Sequence, residues 1–511
     1  MILEPSVDTL FSGALAQDES LVRQILERCA LERQPLAFQA IDAFRFIDPA
    51  PRRRRIRVNR DNAAELLQDL EAGVEYLLDP GRYRLDFPII LKSGCTLRGS
   101  RSGRTYVESS VTSTAIAVEG CDDITISHLT LRCEAATAIR VQSAKGVRIA
   151  DVVVDYAGRY AMHVDDACHH LLIEDCTVRG TGYGGFMVRG DISYLMIRRN
   201  LFEDIYQREL KIGNYAAAIR IQALEHLRDE YDDGVTLKAG EPTADDQLHN
   251  GVFAHFIGAK RPRHVHVLDN KILRSRSQGI YLSGSLLTHV RGNMVIQCDK
   301  EGICVDHQSC FNLVEENFFT ECGGRFNQTE EELRLDHIDA ADFDQKLGAK
   351  AKLPAVSIDY SDMNSVSSNR VIGNYGGGIK AVRSAQFNLI AHNYLSNNAR
   401  GDNDRHVFAE MHMGNSSSEG TKGIGYRKNF DNRNFGSSFN FLFANELIAR
   451  ERGFRVRPTS IGCIFRDNRV FGARRFDYFI ENDGCHTLDD EGALVALPEA
   501  RWPPFKDAHI F

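Results

Sequence analysis

The sequence predicts an all-β protein, a parallel β-helix solenoid of about 23–24 residues per coil. Short segments such as ITISHLTL and LLIEDCTV align in one register, and the aligned position steps through Leu129, Val152, Cys176 and Asn200 at intervals of 23, 24 and 24 residues. A second short strand, such as GIYL or GICV, precedes each segment. Short alternating strands, turns rich in Gly, Asn and Asp, and the lack of long helical periodicity together indicate stacked coils.

An asparagine recurs at the aligned position through the later coils. The members of this column are Asn200, Asn270, Asn293, Asn317, Asn369, Asn393 and Asn468. An asparagine tolerates left-handed backbone at a turn, and its amide can bond the neighbouring coil. We therefore predict an internal hydrogen-bonded ladder and assign these residues to structure.

The gaps in this column divide the chain. Insertions are predicted near residues 206–250, 324–354 and 400–460, and the segments AAAIRIQALEHLRDEY and TEEELRLDHIDAADFDQKLGAKAK within the first two are predicted to be helical. Long insertions in a compact repeat are usually functional. Residues 1–74 do not repeat, and helical spacing from Asp18 to Arg33, with a second helix capped by Asp61, predicts an N-terminal helical cap and connector. The solenoid is predicted over 75–485 and a C-terminal tail over 486–511.

Composition argues against several classes of partner. The net charge is −8, which gives no electrostatic reason to bind nucleic acid or an anionic membrane. The N-terminus shows no basic flank before an apolar stretch, so we expect a cytoplasmic location, and secretion remains an alternative if a leader has been removed. The 12 cysteines form no CxxC pair, and we expect their thiols to be reduced. The oligomeric state is left open.

The first predicted coil carries a recognisable motif. Its residues are Leu78, Pro80, Gly81, Tyr83, Leu85, Ser93, Gly94, Thr96, Leu97 and Gly99. Read with the repeats, this motif resembles the right-handed parallel β-helix superfamily of carbohydrate-active, pectate-lyase-like proteins. The resemblance implies a right-handed coil and a carbohydrate or carboxylated small-molecule partner. The superfamily holds lyases, epimerases, glycosidases, transferases and adhesins, so the fold does not choose an activity.

One later coil is similar to the Asp-Pro-His coil of alginate C5-epimerases. In GICVDHQSCFNLVEENFF, Gly302, Asp306, His307 and Asn317 fall in similar places. The proline is absent, and the aspartate and histidine are adjacent. The resemblance implies an epimerase- or lyase-like site on this coil.

The upstream strands predict a polar outer face. Taking Ile280 and Leu282 as inward leaves Tyr281 and Ser283 outward, and the other coils follow by register. The remaining outward residues are then Arg140, Gln142, His163, Asp165, Met187, Arg189, Phe253, His255, Cys304, Asp306, Ser357, Asp359 and Lys380, with Asp166, His307, Tyr360 and Arg383 at the neighbouring corner. Because His, Tyr, Asp and Arg recur on one stripe, we expect a functional surface.

This face suits proton abstraction beside a uronate carboxylate, giving β-elimination or C5 epimerisation. The candidate catalytic residues are His255, Tyr281, Asp306, His307, Asp359 and Tyr360, with the histidines as bases and the tyrosines as acids. The candidate substrate-binding residues are Arg140, His163, Asp165, Arg189, Lys380 and Arg383, of which Arg189, Lys380 or Arg383 would neutralise the carboxylate.

Two alternatives remain open. Asp306 and Asp359 are predicted on adjacent coils, with their carboxylates about 5 Å apart. Two negative charges at this distance repel by about 3 kcal/mol, so the pair is expected to share a proton or to be neutralised by Lys380 or a Ca²⁺ ion. Such a pair, or Asp165 with Asp166, would also serve a glycoside hydrolase or transferase. The other alternative is a non-catalytic carbohydrate-binding or tailspike-like protein. No cofactor is certain, and His406, Glu410 and His412 match no zinc motif.

Overall fold

The computed structural model describes fifteen parts of the chain. They are residues 46, 54–205, 217–223, 260–306, 309–324, 353–359, 361–382, 385–400, 409–414, 437, 439–457, 460, 462–480, 485–488 and 494–496. Four strands of the coil, Met411–Met413, Phe441–Phe443, Glu446–Ile448 and Arg452–Val456, fall within the predicted insertion of 400–460.

Three parallel sheets run the length of the described chain, and each coil contributes one strand to each sheet in turn. Sheet 1 has 16 strands, Arg54–Val58, Val74–Leu78, Thr96–Arg98, Asp122–Ser127, Lys145–Ala150, Cys168–Glu174, Ile192–Arg198, Arg263–Leu268, His289–Arg291, Leu313–Glu315, Ser365–Ser367, Leu389–Ala391, Phe441–Phe443, Ile464–Arg466, His486–Leu488 and Leu494–Ala496. The last of these pairs antiparallel, and the other described pairings are parallel.

Sheets 2 and 3 have 13 strands each. Sheet 2 comprises Gly81–Leu85, Thr105–Ser109, Thr130–Cys133, Val153–Ala157, Thr177–Thr181, Leu201–Ile205, Lys271–Ser275, Met294–Cys298, Phe318–Thr320, Arg370–Ile372, Tyr394–Ser396, Glu446–Ile448 and Arg469–Phe471. Sheet 3 comprises Ile89–Leu91, Thr114–Glu119, Thr137–Gln142, Tyr160–Asp165, Gly184–Arg189, Ile219–Gln222, Ile280–Ser283, Ile303–Asp306, Val356–Asp359, Ile379–Val382, Met411–Met413, Arg452–Val456 and Phe476–Ile480.

Alternate residues of these strands fill one continuous apolar core. Ile280 and Leu282 point into it, as do Ile303 and Val305 on the next coil, and all four are fully buried. Burial of apolar side chains is the main favourable term in folding. The prediction of an all-β parallel β-helix is confirmed.

The asparagine column forms the predicted ladder. Asn369 Oδ1 accepts hydrogen bonds from both the backbone N–H and Nδ2 of Asn317 at 3.0 Å, and Asn369 repeats the arrangement with Asn393. Asn445, which the sequence alignment missed, continues the ladder between Asn393 and Asn468. The left-handed residue at this corner is the one before each asparagine, such as Ser368 with φ of 56°, and not the asparagine itself.

The other two corners carry ladders that were not predicted. Between sheets 3 and 1 the amides of Asn312, Asn364, Asn388 and Asn440 stack in the same way. Between sheets 2 and 3, Asn374 bonds Asn398, which in turn donates to the buried Glu410. Each corner of the coil is therefore fixed by buried amides in its C-terminal half.

Two local predictions need correction. The segment AAAIRIQALEHLRDEY was predicted to be helical, but Ile219–Gln222 is a strand of sheet 3 that pairs with Gly184–Arg189 and Ile280–Ser283. Cross-strand pairing has overridden the helical composition of this segment. Near the N-terminus the one described helix is Ala63–Gln68, preceded by Asn62 in place of Asp61.

Sheet 1 begins earlier than the predicted start of the solenoid, because Arg54–Val58 pairs with Val74–Leu78. The helix predicted from Asp18 to Arg33 lies outside the described residues. No disulfide joins the described cysteines. Within the described residues, no helix has the length and apolar character required to cross a membrane.

Candidate functional site

The outer face of sheet 3 carries two columns of side chains that point away from the core. The first column runs in register through Arg140, His163, Met187, Arg220, Tyr281, Cys304, Ser357, Lys380, His412, Arg455 and Phe479. The second column runs through Gln142, Asp165, Arg189, Gln222, Ser283 and Asp306, and Asp359 follows on the next coil. Neighbouring members of a column lie about 4.8 Å apart, the spacing of strands in a sheet.

Eight of the predicted site residues lie on this face. They are Arg140, His163, Asp165, Arg189, Tyr281, Asp306, Asp359 and Lys380. His255, His307, Tyr360 and Arg383 lie outside the described residues. The eight form two groups, because Asp165 and Asp306 are four coils, or about 19 Å, apart in the second column.

The coil between these groups is occupied by residues that sequence reasoning missed. Arg220 and Gln222 hold the outward positions that had been given to Phe253 and His255. The alternation in AAIRIQ, with Ile219 and Ile221 in the core, was the signal that would have found them. The apparent helical character of the surrounding segment concealed it.

Tyr281 is at the centre of a compact polar cluster. Its hydroxyl donates a hydrogen bond of 3.0 Å to Asp306 Oδ2 on the next coil. On the preceding coil, the Arg220 guanidinium lies over the phenol ring at 5.0 Å from its centroid. Arg220 Nε also donates to Gln222 Oε1. A buried phenol between a carboxylate and a guanidinium can exchange a proton with Asp306 while Arg220 stabilises negative charge on the ring.

The backbone around Asp306 is held firmly. The Asp306 carbonyl accepts hydrogen bonds from Ser309 N–H at 3.2 Å, Ser309 Oγ at 2.7 Å and Gly284 N–H at 3.2 Å. Ser309 Oγ in turn accepts from the N–H of Ser285. These contacts join the end of strand Ile303–Asp306 to the corner of the coil, so the aspartate is fixed relative to Tyr281.

Asp165 belongs to a structural ion network. Its carboxylate accepts hydrogen bonds from Arg189 at 3.1 Å and Arg140 at 3.0 Å, and His163 Nε2 lies 3.9 Å away. Burial alone would raise the pKa of Asp165, but the bonds from Arg189 and the neighbouring charges outweigh it and lower that pKa. Asp166 likewise bonds Lys260 at 2.6 Å, which also helps to lower its pKa. Neither carboxyl is suited to hold a proton as a general acid, so this pair does not favour a hydrolase.

Lys380 is three coils from Tyr281, about 14 Å along the face, and the Tyr281 phenol is therefore beyond its reach. It lies instead in register with His412 and Arg455. Burial lowers the pKa of His412 well below its usual value, and the charges of Arg455, Lys380 and Arg457 lower it further. The C-terminal part of the first column is therefore strongly cationic.

The structure does not assemble the metal trio considered from the sequence. Glu410 lies in the core-side ladder, where Asn398 donates to both of its carboxylate oxygens, whereas His412 is on the outer face. His406 lies outside the described residues. Among the described residues, no three His, Cys, Asp or Glu side chains converge on a point that would hold a metal.

Comparisons with known proteins agree with the fold. A family model described as periplasmic copper-binding protein (NosD) matches residues 245–408. None of the curated proteins matches the sequence.

Solved structures give a wider match. The catalytic domain of a GH87 α-1,3-glucanase has a TM-score of 0.53 at 10% identity, covering 86% of this chain and 70% of that chain. This chain is a parallel β-helix. The A-module of a mannuronan C-5 epimerase from Azotobacter vinelandii follows with a TM-score of 0.46 at 12% identity, covering 81% of this chain and 90% of that one. The surface adhesin PfbA of Streptococcus pneumoniae has a TM-score of 0.43 at 10% identity, covering 85% and 89%.

Proposed function

We propose that this protein is an enzyme that acts on an acidic, uronate-type poly- or oligosaccharide by proton abstraction, giving β-elimination or C5 epimerisation. The observation that carries the proposal is the cluster of Arg220, Tyr281 and Asp306 on three consecutive coils of one outer face. It combines a cation for the substrate carboxylate with a phenol whose proton is already hydrogen-bonded to a carboxylate.

The chemistry follows from the weakness of the carbon acid. A proton on the carbon beside a uronate carboxylate leaves only when the developing charge on that carboxylate is stabilised. Arg220 supplies a cation in contact with the Tyr281 ring. As Tyr281 passes its own proton to Asp306, the phenolate oxygen can take the proton of the substrate carbon.

The fate of the electron pair decides the product. In elimination the pair forms a carbon–carbon double bond, the glycosidic C–O bond breaks and the departing oxygen takes the proton. In epimerisation a water molecule on the opposite face gives its proton to the carbon, and the proton held by Asp306 and Tyr281 is released to solvent. Both outcomes use the same first step, so both belong to one proposal.

The test is turnover of acidic glycans in heavy water. Polymannuronate, polyguluronate and polygalacturonate are incubated with the protein, with and without Ca²⁺, for which Asp306 and Asp359 would supply carboxylate ligands. Ultraviolet absorbance measures unsaturated product, and NMR measures deuterium at C5. We expect one of these signals, and a fall of about 10²–10⁴-fold in Tyr281→Phe.

Tyr156→Phe is the matched control, because Tyr156 is a half-buried tyrosine on sheet 2, where Arg132 contacts its ring. Its activity should equal that of the unmodified protein. Equal activity of Tyr281→Phe, or the absence of both signals with every acidic glycan, would contradict the proposal.

A second candidate is a glycoside hydrolase or transferase that uses Asp306 and Asp359. The observation in its favour is that strands Ile303–Asp306 and Val356–Asp359 are neighbours in sheet 3, with both aspartates at the same end. Two carboxyl groups about 5 Å apart suit a retaining hydrolase. New reducing ends without ultraviolet absorbance, abolished by Asp359→Asn, would support this candidate over the first.

A further inference from the structure

Two buried polar side chains lie in the second column, directly beside the cluster of Arg220, Tyr281 and Asp306. The register pairs Gln222 with Ser283 and Ser283 with Asp306, so neighbouring members lie on adjacent coils about 4.8 Å apart. Gln222 and Ser283 are 0% and 1% exposed, whereas Tyr281 and Asp306 are 7% and 8% exposed. Gln222 and Ser283, which we call the neutral pair, therefore form the deeper part of the same polar floor.

Each member of the neutral pair holds a polar atom without a hydrogen bond. Gln222 Nε2 and Ser283 Oγ are buried and have no partner among the hydrogen bonds of the described residues. A buried polar group without a partner costs free energy, and in native proteins such groups are few. Two of them on adjacent coils of one polar face indicate a place that a ligand completes.

The bond from Arg220 fixes which end of the Gln222 amide is left unpaired. Arg220 Nε donates to Gln222 Oε1, and of the two ends of an amide only the oxygen can accept. The other end is the Nε2 group, which carries two N–H donors. Ser283 Oγ can either donate or accept, so the neutral pair offers donors and an acceptor side by side.

A hydroxyl group matches this pair better than a charged group does. It can accept a hydrogen bond from Gln222 Nε2 and at the same time donate its own proton to Ser283 Oγ. A carboxylate at this place would lie one coil from the Asp306 carboxylate and be repelled by it. The Arg220 guanidinium, which is bonded to Gln222, disfavours a cation in the same way.

The distance from Tyr281 indicates which hydroxyl of a sugar would reach the pair. Ser283 follows Tyr281 by two residues on the same strand, so their backbones are about 6.6 Å apart. In a pyranuronate, C2 lies directly across the ring from C5, and C3 is next to C2. A sugar whose C5 proton faces Tyr281 can therefore extend its 2- or 3-hydroxyl towards Ser283.

We propose that Gln222 and Ser283 form a hydroxyl-binding subsite, which positions the reacting uronate through its 2- or 3-hydroxyl. This inference rests on the proposed function, because it takes the sugar at Tyr281 to be the one that reacts. It adds that the protein selects its substrate by a neutral group as well as by the carboxylate. A site built to bond a hydroxyl discriminates against an analogue that lacks it, because its own polar groups then stay unpaired.

The test is calorimetric binding of acidic trisaccharides to the protein carrying Tyr281→Phe, which keeps the ligands from being consumed. The parent is whichever of the mannuronate, guluronate and galacturonate trimers binds most tightly. Two analogues lack either the 2-hydroxyl or the 3-hydroxyl of the middle sugar. One of the analogues should bind about tenfold more weakly than the parent, which corresponds to one hydrogen bond.

Removing the protein's side of the contact should have the same effect. Ser283→Ala should weaken the parent by about tenfold and should no longer distinguish the parent from that analogue. Gln222→Met removes the amide donors and should abolish the same distinction. With the Tyr281 hydroxyl in place, Ser283→Ala should raise KM about tenfold on the polymer that is turned over and leave kcat within about threefold, because the bond is made in the bound substrate and the transition state alike.

Thermal unfolding separates this role from a structural one. Because Ser283 Oγ has no partner in the described protein, Ser283→Ala should not lower the melting temperature. Ser275→Ala is the matched control, because Ser275 is equally buried on sheet 2 and its Oγ donates to Gln278 O at 2.9 Å. This control should lower the melting temperature and leave the affinity for the parent trimer unchanged.

Three results would each overturn the subsite. They are an affinity of Ser283→Ala for the parent equal to that of the protein with Ser283, equal binding of the parent and both analogues to the latter, and a melting temperature of Ser283→Ala as low as that of Ser275→Ala. The first two would mean that the neutral pair holds ordered water only.

Turnover of the acidic polymers is measured separately and decides the proposed function. Turnover with equal binding of parent and analogues rejects the subsite and keeps the proposed function. Hydroxyl-dependent binding that is lost in Ser283→Ala, without turnover of any acidic glycan, keeps the subsite as a binding site and rejects the proposed function.

Discussion

Removing one asparagine from the middle of the ladder should destabilise the protein far more than removing its exposed neighbour. The Asn369 side chain takes part in four buried hydrogen bonds. Its Oδ1 accepts from the N–H and Nδ2 of Asn317 at 3.0 Å, and its Nδ2 donates to Val314 O at 2.9 Å and to Asn393 Oδ1 at 3.0 Å.

The magnitude follows from this count. Each bond contributes a net free energy of about 1 kcal/mol, so Asn369→Ala should lower the free energy of unfolding by about 4 kcal/mol. The buried N–H of Asn317 loses its acceptor, which adds to the cost. Arg370→Ala changes the next residue, which is exposed, and should stay within about 0.5 kcal/mol of the unmodified protein.

The assay is urea unfolding of the two variants and the unmodified protein, with the slope of each transition compared before any free energy is quoted. One free energy describes the unfolding of a long repeat protein only if different probes give coincident transitions. If Asn369→Ala costs no more than Arg370→Ala, the ladder does not stabilise the coil and the reasoning is refuted.

Two further predictions concern buried positions. Burial raises the pKa of Asp362 to about 7, so its ionisation opposes folding, and the free energy of unfolding should fall as pH rises from about 4 to about 7. Asp362→Asn keeps the acceptor for Gln386 N–H and should remove this part of the pH dependence, measured as the urea midpoint at each pH. If the urea midpoint of Asp362→Asn changes with pH as steeply as that of the unmodified protein, the prediction is contradicted. In Gly99→Ala the new Cβ would lie 2.0 Å from His128 O, so thermal unfolding should show a loss of about 1–3 kcal/mol or more. Gly120→Ala, which meets nothing within 4 Å, should cost only its left-handed backbone strain, about 1 kcal/mol, and equal losses in the two variants would count against the steric argument.

The period of the solenoid was predictable because short local patterns in the sequence determine it. Strand alternation recurs in each coil, and the asparagine column advances by 23 or 24 residues wherever no insertion intervenes, as from Asn270 to Asn293 and Asn317. Each feature needs only a few residues to be recognised. The ladders at the other corners were missed because their columns mix asparagine with other residues. Cys322, for example, precedes Asn374 and bonds its Oδ1 through the backbone N–H.

The candidate site was predictable in outline only. Register placed Tyr281 beside Asp306, because both follow from the alternation of two clear strands. Arg220 was missed because its strand is embedded in residues that favour a helix, and only pairing with strands far away in sequence selects the extended form. Sequence also showed Arg140, Asp165 and Arg189 on one face, but not that both arginines bind the carboxylate.

The most direct test of the account is a crystal structure of the protein with an acidic hexasaccharide bound to the Tyr281→Phe variant. The account predicts that the glycan lies along the outer face of sheet 3, with one sugar against position 281, Asp306 and Arg220. A glycan bound to sheet 1 or sheet 2, or lying across the axis away from position 281, would contradict it.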